Sequence, residues 1–447
     1  MLQNINIFKL ITIAISILLG IVALLIFSGK FPGVSSSATT NQNKPVLNVW
    51  GTIDREYVDK AMLLTTQNTG KPFQFNYVEY GRSEIESKII EANARGNSPD
   101  IILAESEIIN AVASTLYILP YTYMDEATYK NMFIDVSHTY ATPYGAQMYP
   151  VLADPLIMYY NKKMFRESGV TNAPSSWLEL PSYGEKLTIK NEGSAPKQSA
   201  FGIGANNVTY NKDILLANLL QLGHNPAKIY YSLSRDNALE LGYSNDLGTA
   251  SSDGSQEGDI YKILRFQTAF SDPQKTVYTW SELGDSDYEK FVAGTSAIYF
   301  GRASDYYKII AKNPNLEFSV QGLPQFNGKY KVTTGDLVGV AVSNKTKDFP
   351  YSIEISQAIA GKVFGSALSG MLGMSSARKD ILAGNDGSER SVVIGGGAII
   401  MQNYYDINSK VINGLFKSLY ENIISGRKSV EKSVEVFERD FVNLYKR

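Results

Sequence analysis

The 447-residue chain contains no cysteine. That excludes disulfides, thiolate metal sites, a cysteine nucleophile and a lipid-modified N-terminal cysteine. Histidine is nearly missing too. Only His138 and His224 could supply imidazole, so neither a multi-histidine metal site nor HExxH chemistry is expected. Neither sign of charge is in excess: 42 basic and 44 acidic side chains give a net charge of −2. With no basic surplus to neutralise phosphates, nucleic acid is not an expected partner. There is no GxSxG motif and no P-loop, and Gly395-Gly396-Gly397 lacks the spacing of a phosphate-cradling loop. A glycosidase needs only two carboxylates, yet nothing in the sequence argues for one. The expectation is a non-enzyme without a resident cofactor.

What is present is a globular composition, 44% hydrophobic and 19% charged, on a chain too long for one ordinary core. Two compact lobes are expected. Ahead of them, Leu10–Phe27 carries no charge. At 1.5 Å rise these residues make a helix of roughly 27 Å, about the hydrocarbon thickness of a bilayer. A signal-peptide core is usually shorter, although Ser36-Ser37-Ala38 offers cleavage-like spacing. Residues 1–28 therefore read as a membrane anchor or signal segment, and 29–44 as a flexible linker. Either way the bulk of the chain is extracytoplasmic: held at the cell membrane by a single N-terminal pass, or secreted if the segment is cleaved.

VLNVW (46–50), FQFNYVE (73–79) and PDIILA (99–104) read as strands. Between them lie a helix over 55–69 with Tyr57, Ala61 and Leu64 on its apolar face, and a second opened by a capping box at Ser83–Glu86. Strand-helix-strand-helix-strand with short connections is the pattern of a parallel α/β sheet. Ligands bind beyond the carboxyl ends of such strands. Those ends are Gly51–Arg55, Tyr80–Arg82 and Glu105–Glu107, which makes Asp54, Arg55, Tyr80, Glu105 and Glu107 the first candidates.

Further along, Asp154-Pro155 precedes the apolar run Leu156–Tyr160, a strand buried on both faces that leaves through Asn161-Lys162-Lys163. Ser176–Glu179 and Ser182–Glu185 read as successive capping boxes, and Trp177 as a packing residue. Trp280 sits in the polar stretch TVYTWSELGDSD, where its ring could stack on a sugar or pack on the lobe. Tyr-Tyr pairs at 159–160, 230–231, 306–307 and 404–405 could hold ferric iron, but packing accounts for most such pairs. Asp253–Asp259 resembles the start of a calcium loop, but Leu264 stands where the bidentate glutamate belongs, which favours a solvated loop. The C-terminus reads as two helices, with stripes Val411, Leu415, Leu419, Ile423 and Val430, Val434, Phe437, Phe441, Leu444.

Several ordered stretches together resemble the extracellular solute-binding proteins of ABC importers, in the family that contains maltodextrin-binding protein. They are VWGTIDREY (49–57), SPDIILAES (98–106), YPVLADPLIMYYNKKMFRESGV (149–170) with PSSW, FVAGTSAIYF (291–300) and GLPQFNGKY…TTGDLVGVAVSNKTKD (322–348). The resemblance implies an α/β, two-lobe periplasmic-binding-protein-like fold with its ligand cleft at the hinge; the apolar run Leu10–Phe27 places one N-terminal transmembrane helix ahead of it. It implies lobe 1 over 46–153 and 335–375, with lobe 2 over 154–334 and 376–447, the last including the C-terminal helices. By motif position it places Asp54, Arg55, Glu105 and Glu107 at ligand-contacting loops, and Asp154 where an acidic residue meets the sugar. Arg302, Asp336 and Arg378 come from loops beside matched segments. The chain departs from the pattern at Gly301-Arg302-Ala303, where a tryptophan often stands, at Ala104 and at Pro181. These departures weaken the expectation of a maltodextrin-type stack of aromatics.

The implied function is capture of a mono- or oligosaccharide between the lobes by a monomer, which delivers it to ABC permease subunits. Alternatives are a ligand-sensing module of the same fold for a signalling partner, or a non-sugar solute such as ferric iron or polyamine.

Overall fold

The computed structural model describes residues 44–191, 195–233, 239–326, 331–385 and 387–446. The chain divides at Val46, and Leu47–Arg447 forms one compact unit that contains both lobes. The expected anchor over 1–28 lies outside the described residues, as does the linker but for Lys44. Among the described residues no helix is long and apolar enough to cross a membrane.

The first lobe opens with β1 (Leu47–Gly51), α1 (Arg55–Thr69), β2 (Phe75–Glu79), α2 (Ile85–Ala94), β3 (Ile101–Glu105) and the short α3 (Ser106–Ala111). β1 pairs in parallel with β2 on one side and β3 on the other. The helical connections return the chain each time to the same edge, so Gly51, Glu79 and Glu105 end side by side.

α1 begins at Asp54, whose carboxylate accepts the Glu56 N–H, and stops at Gly70, which adopts φ +67°. Its buried face is Val58, Ala61, Met62 and Thr65; of the predicted Tyr57, Ala61 and Leu64, Ala61 is buried, Tyr57 is partly buried against the core and Leu64 is exposed. The true stripe contains Thr65, which hydropathy ranks as polar, but its hydroxyl donates to the Ala61 carbonyl and so tolerates burial. At α2 the expected capping box is not formed. Glu84 is the cap residue and makes no side-chain capping bond; its carboxylate instead accepts the Gly81 N–H at 3.1 Å.

The lobes are joined by shared strands. β4 (Tyr149–Asn161) is thirteen residues long and buried along nearly all of it. It is followed by α4 (Asn211–Gln221), α5 (Asp259–Ala269), β5 (Ile298–Arg302), β6 (Phe318–Gly322) and β7 (Gly335–Val342). The first half of β4 pairs antiparallel with β7, which itself pairs antiparallel with β3 of the first lobe. The second half pairs with β5 and β6 of the second lobe. The sheet path is thus β5-β4-β7-β3-β1-β2, and partners change on β4 between Asp154 and Leu156.

The α-helices that follow β7 are α6 (Phe349–Ile359), α7 (Lys362–Leu372), α8 (Glu389–Ile399), α9 (Ser409–Ile424) and α10 (Val430–Leu444). α6 and α7 complete the first core with Ile355 and Phe364 against Val49, Leu103 and Val340. Trp177, Phe201 and Phe300 fill the second around Met158. A third core joins α4 and α5 to α9 and α10 through Leu219, Leu264, Phe416 and Phe441. On α9 the buried set is Ile412, Phe416, Leu419 and Tyr420, one step round from the predicted stripe, and Val411 is exposed. The triple glycine lies in α8, where a Cβ on Gly397 would stand 3.1 Å from the Pro155 ring; it serves helix packing.

Ser176 and Glu179 form both bonds of a capping box, but Ser182 and Glu185 do not form the second one. Pro181 lies in the first turn of the helix Leu180–Leu187, where no N–H is required, and does not break it.

Gly335 opens β7 at the crossing, and a Cβ there would meet the Asp154 carbonyl at 2.5 Å and the Pro155 Cα at 2.8 Å. These are backbone atoms of the neighbouring crossing strand and cannot swing aside. Gly335→Ala should therefore cost about 1–3 kcal/mol, measured as a lower urea midpoint with an unchanged slope. An unaltered midpoint would show that the crossing is looser than described.

Candidate ligand-binding cleft

The topology places the carboxyl ends of β2 and β3, the start of β7 and the end of β5 around one hollow. From the first lobe come Arg82, just past β2, and Glu107, in the first turn of α3. Asp336 enters from β7, directly opposite Asp154 in the ladder. Arg302 is the last residue of β5. The second lobe adds Tyr210, Lys212 and Asp213 at the start of α4, and α9 adds Asn413 and Lys417. Together they bound a cavity of about 340 Å³. A smaller hollow of about 30 Å³ adjoins it, lined by Glu105, Asn110, Asp406 and several of the same residues.

Asp336 is the hub. Its Oδ2 accepts from Arg82 Nη1 at 2.8 Å and its Oδ1 from Arg302 Nη2 at 3.1 Å. Arg82 turns its Nε and Nη2 to Glu107 Oε1 at 3.0 and 2.7 Å. Arg302, only 4% exposed, also pairs with Asp213 Oδ1 at 3.1 Å, donates Nη1 to the Asp154 carbonyl at 3.1 Å and lies over the Tyr210 ring. Its Nε has no partner among the described residues. Burial alone would push the Asp336 carboxyl up, but the two guanidiniums outweigh it and hold it well below the usual carboxylate range. Asp154 behaves differently. Burial raises it to about 6, although Arg302 and bonds from the Ser304 N–H and hydroxyl, at 2.9 and 2.6 Å, oppose the rise.

The lobes also touch across the cleft. Ser409 at the start of α9 donates its hydroxyl to Glu107 Oε2 at 2.8 Å, and Asn110 donates to the Asp406 carbonyl at 3.0 Å.

Of the residues singled out from sequence, Glu107, Arg302 and Asp336 line the main cavity, and Glu105 lines the adjoining hollow, held by Thr52 and near Arg82. Asp154 lies beneath, bound to Ser304. Asp54 and Arg55 stand at the expected strand end but are spent locally, Asp54 on the α1 cap and Arg55 on Asp59, and neither lines the cavity. Tyr80 packs on Trp50 at 4.8 Å between ring centroids.

Two candidates lie elsewhere. Trp280 is fully buried in the second-lobe core, with Nε1 bonded to Asn207 and the Lys290 ammonium 4.2 Å from its ring. Its indole fills the space that Gly202 leaves by lacking a side chain, a contact from distant sequence that the polar neighbours of Trp280 conceal. Arg378 faces Asp380 and Met132 beside the helix Glu126–Met132, away from the cavity. The 253–259 loop holds a cation of its own: the Lys262 ammonium lies 3.0 Å from Asp253 and 3.3 Å from Asp259.

Sequence reasoning did not single out Arg82, Tyr210, Lys212, Asp213 and Lys417. A signal existed for the middle three. The polar run Asn206–Asp213 directly precedes the apolar ILLANLLQL, the arrangement of a helix that offers its first turn to a cavity. The loop leading to it is pinned by Asp287, which accepts from the Thr209 N–H and hydroxyl at 2.7 and 2.6 Å.

With this geometry in place, comparison with known proteins defines the class. A family model for bacterial extracellular solute-binding proteins matches residues 64–380. The chain belongs to that family. No curated protein sequence matches it. Solved structures similar to it include the maltose-maltodextrin-binding protein of Alicyclobacillus acidocaldarius, at TM-score 0.63 and 15% identity over 90% of this chain and 100% of that one. The cyclic α-maltosyl-1,6-maltose-binding protein of Arthrobacter globiformis gives 0.66 and 16% over 90% and 99%. A solute-binding protein of Thermotoga lettingae bound to α-D-tagatose gives 0.66 and 14% over 89% and 99%. At these identities the likeness establishes the two-lobe fold.

The buried acids carry a pH signature. Burial raises Asp154 to about 6 and Asp287 to about 7, both from 3.8. The native state thus keeps protons that the unfolded chain releases, and stability falls as pH rises from about 4 to about 7. Unfolding free energies from urea titrations should drop over that window by on the order of a few kcal/mol. Asp154→Asn together with Asp287→Asn should flatten the dependence. A slope unchanged in the double variant would contradict the assignment.

Proposed function

We propose that this chain is the extracytoplasmic solute-binding subunit of an ABC importer, which captures a mono- or oligosaccharide between its lobes and delivers it to a membrane permease. The observation that carries the reading is the cleft itself. Both lobes and the crossing strand β7 contribute charged and polar groups to one cavity, at the strand ends where α/β sheets bind ligands. Planar guanidiniums held by carboxylates present fixed donor and acceptor edges, which suit the hydroxyl pairs of a sugar ring. The maltodextrin, maltosyl and tagatose ligands of the similar structures support a carbohydrate.

The mechanism is hinge closure. β4 and β7 cross between the lobes, and a solute touching Arg82 on one side and Tyr210 or Lys212 on the other favours the closed form through contacts the open form lacks. No bond of the solute is broken. Residues 1–28 tether the domain to the membrane, where the closed form docks on the permease.

A thermal-shift panel of sugars, amino acids, polyamines and ferric iron tests this. A saccharide at about a hundred times its Kd should add about 2.7 kcal/mol of stability. Arg82, whose side chain is 45% exposed, can be removed without opening a core. Arg82→Ala should weaken saccharide binding at least about tenfold by calorimetry, the worth of one or two charged hydrogen bonds. A response to polyamine or iron alone would keep the fold and replace the solute.

A further inference from the structure

One buried titratable group lies away from the cleft wall. His224 follows the C-terminus of α4, its side chain nine-tenths buried, and both of its ring nitrogens meet carboxylates. Nδ1 lies 3.0 Å from each oxygen of Asp246, and Nε2 lies 2.9 Å from Asp259 Oδ2. Asp246 Oδ1 also accepts the Gly248 N–H at 3.0 Å, and Asp259 Oδ2 the Ser252 N–H at 2.7 Å. The 244–253 loop lies directly against the ring, since a Cβ on Gly248 would stand 3.0 Å from His224 Cδ2. The charged groups about the imidazole are Asp246 and Asp253 from this loop and Asp259 and Lys262 from α5, with Lys262 donating to both Asp253 and Asp259. α4 carries charge only in its first turn, at Lys212 and Asp213.

A neutral imidazole has a single N–H. Between two ionised carboxylates it would set a lone pair against one of them, so the arrangement calls for the doubly protonated ring. A cation beyond the last turn of α4 also suits the negative end of that helix's dipole. We propose that His224 is a proton-operated clamp, which while charged fastens the 244–253 loop to the end of α4 and the start of α5. On losing a proton the ring keeps one N–H and must surrender one partner. That partner is Asp246, whose side chain is 57% exposed and can turn to water, whereas the Asp259 side chain is 3% exposed. Burial would lower the imidazole, but the bonds to Asp259 and Asp246 outweigh it and raise it above its ordinary 6.5. The clamp is therefore complete below about pH 6.5 and is lost as pH rises through the raised value. It needs no solute.

His138 and His224 are the only imidazoles, which makes the test direct. Nuclear magnetic resonance of the full chain with isotopically labelled histidine would follow both, with a His138→Gln variant to assign them. Both ring nitrogens of His224 should carry protons below about pH 6.5, and the titration midpoint should lie above it. Hydrogen exchange of residues 244–253, corrected for its intrinsic pH dependence, should rise at least about tenfold through the same midpoint. Asp246→Ala, an exposed change that leaves the core intact, should lower the midpoint and abolish the step in exchange. A His224 ring protonated on one nitrogen only below about pH 6.5, or a midpoint unmoved in Asp246→Ala, overturns the charged clamp. Exchange that stays flat across the titration overturns its hold on the loop.

Discussion

Asp336 between Arg82 and Arg302 is the contact on which the cleft depends. Each guanidinium comes from a different part of the chain, one from the loop after β2 and one from the end of β5, and the carboxylate sits where β7 meets β4. A buried guanidinium cannot shed its proton, so it must be paired, and removing one partner of such a pair typically costs about 3–5 kcal/mol. Arg302 is the most buried charge in the cavity, with Asp213 and the Asp154 carbonyl completing its partners. The network therefore holds the cavity wall in one arrangement before any solute arrives.

That arrangement is possible because two strands belong to both lobes. β4 changes partners between Asp154 and Leu156, and β7 begins at the same level. A hinge made of paired strands bends at the few residues where the ladder changes and stays stiff elsewhere. Gly335 and Pro155 occupy that level, the first leaving room for the neighbouring backbone and the second lacking a ladder donor. Asp154, tied to Ser304 across the change of partners, couples the crossing to the loop after β5.

Much of this was legible from sequence, for physical reasons. Strand-helix alternation located three parallel strands and hence their carboxyl ends, and Glu105, Glu107, Arg302 and Asp336 fall around the cleft. The misses share one cause: they are decided by contacts from far along the chain. Trp280 reads as a loop residue until Gly202 is seen beneath its ring. The faces of α1 and α9 were read one step round, because Thr65 and Tyr420 are buried with their hydroxyls bonded, which a hydropathy pattern cannot register. Arg82 belonged to a strand end that was recognised, but only Glu107 and Asp336, 25 and 254 residues further on, give it a role. Asp54 shows the opposite error, a charged residue in the right place whose carboxylate is spent on a helix cap.

The central claim is that the cleft closes on its solute about β4 and β7. The absence of native cysteine makes it directly measurable, since Lys88→Cys on α2 and Ser418→Cys on α9 would be the only thiols. Both positions are exposed and away from the network. Spin labels there would report the distance between lobes by pulsed electron resonance, with and without a saccharide whose binding is confirmed by calorimetry. The account predicts that binding shortens the distance and narrows its distribution. Identical distributions in the bound and free protein would contradict it.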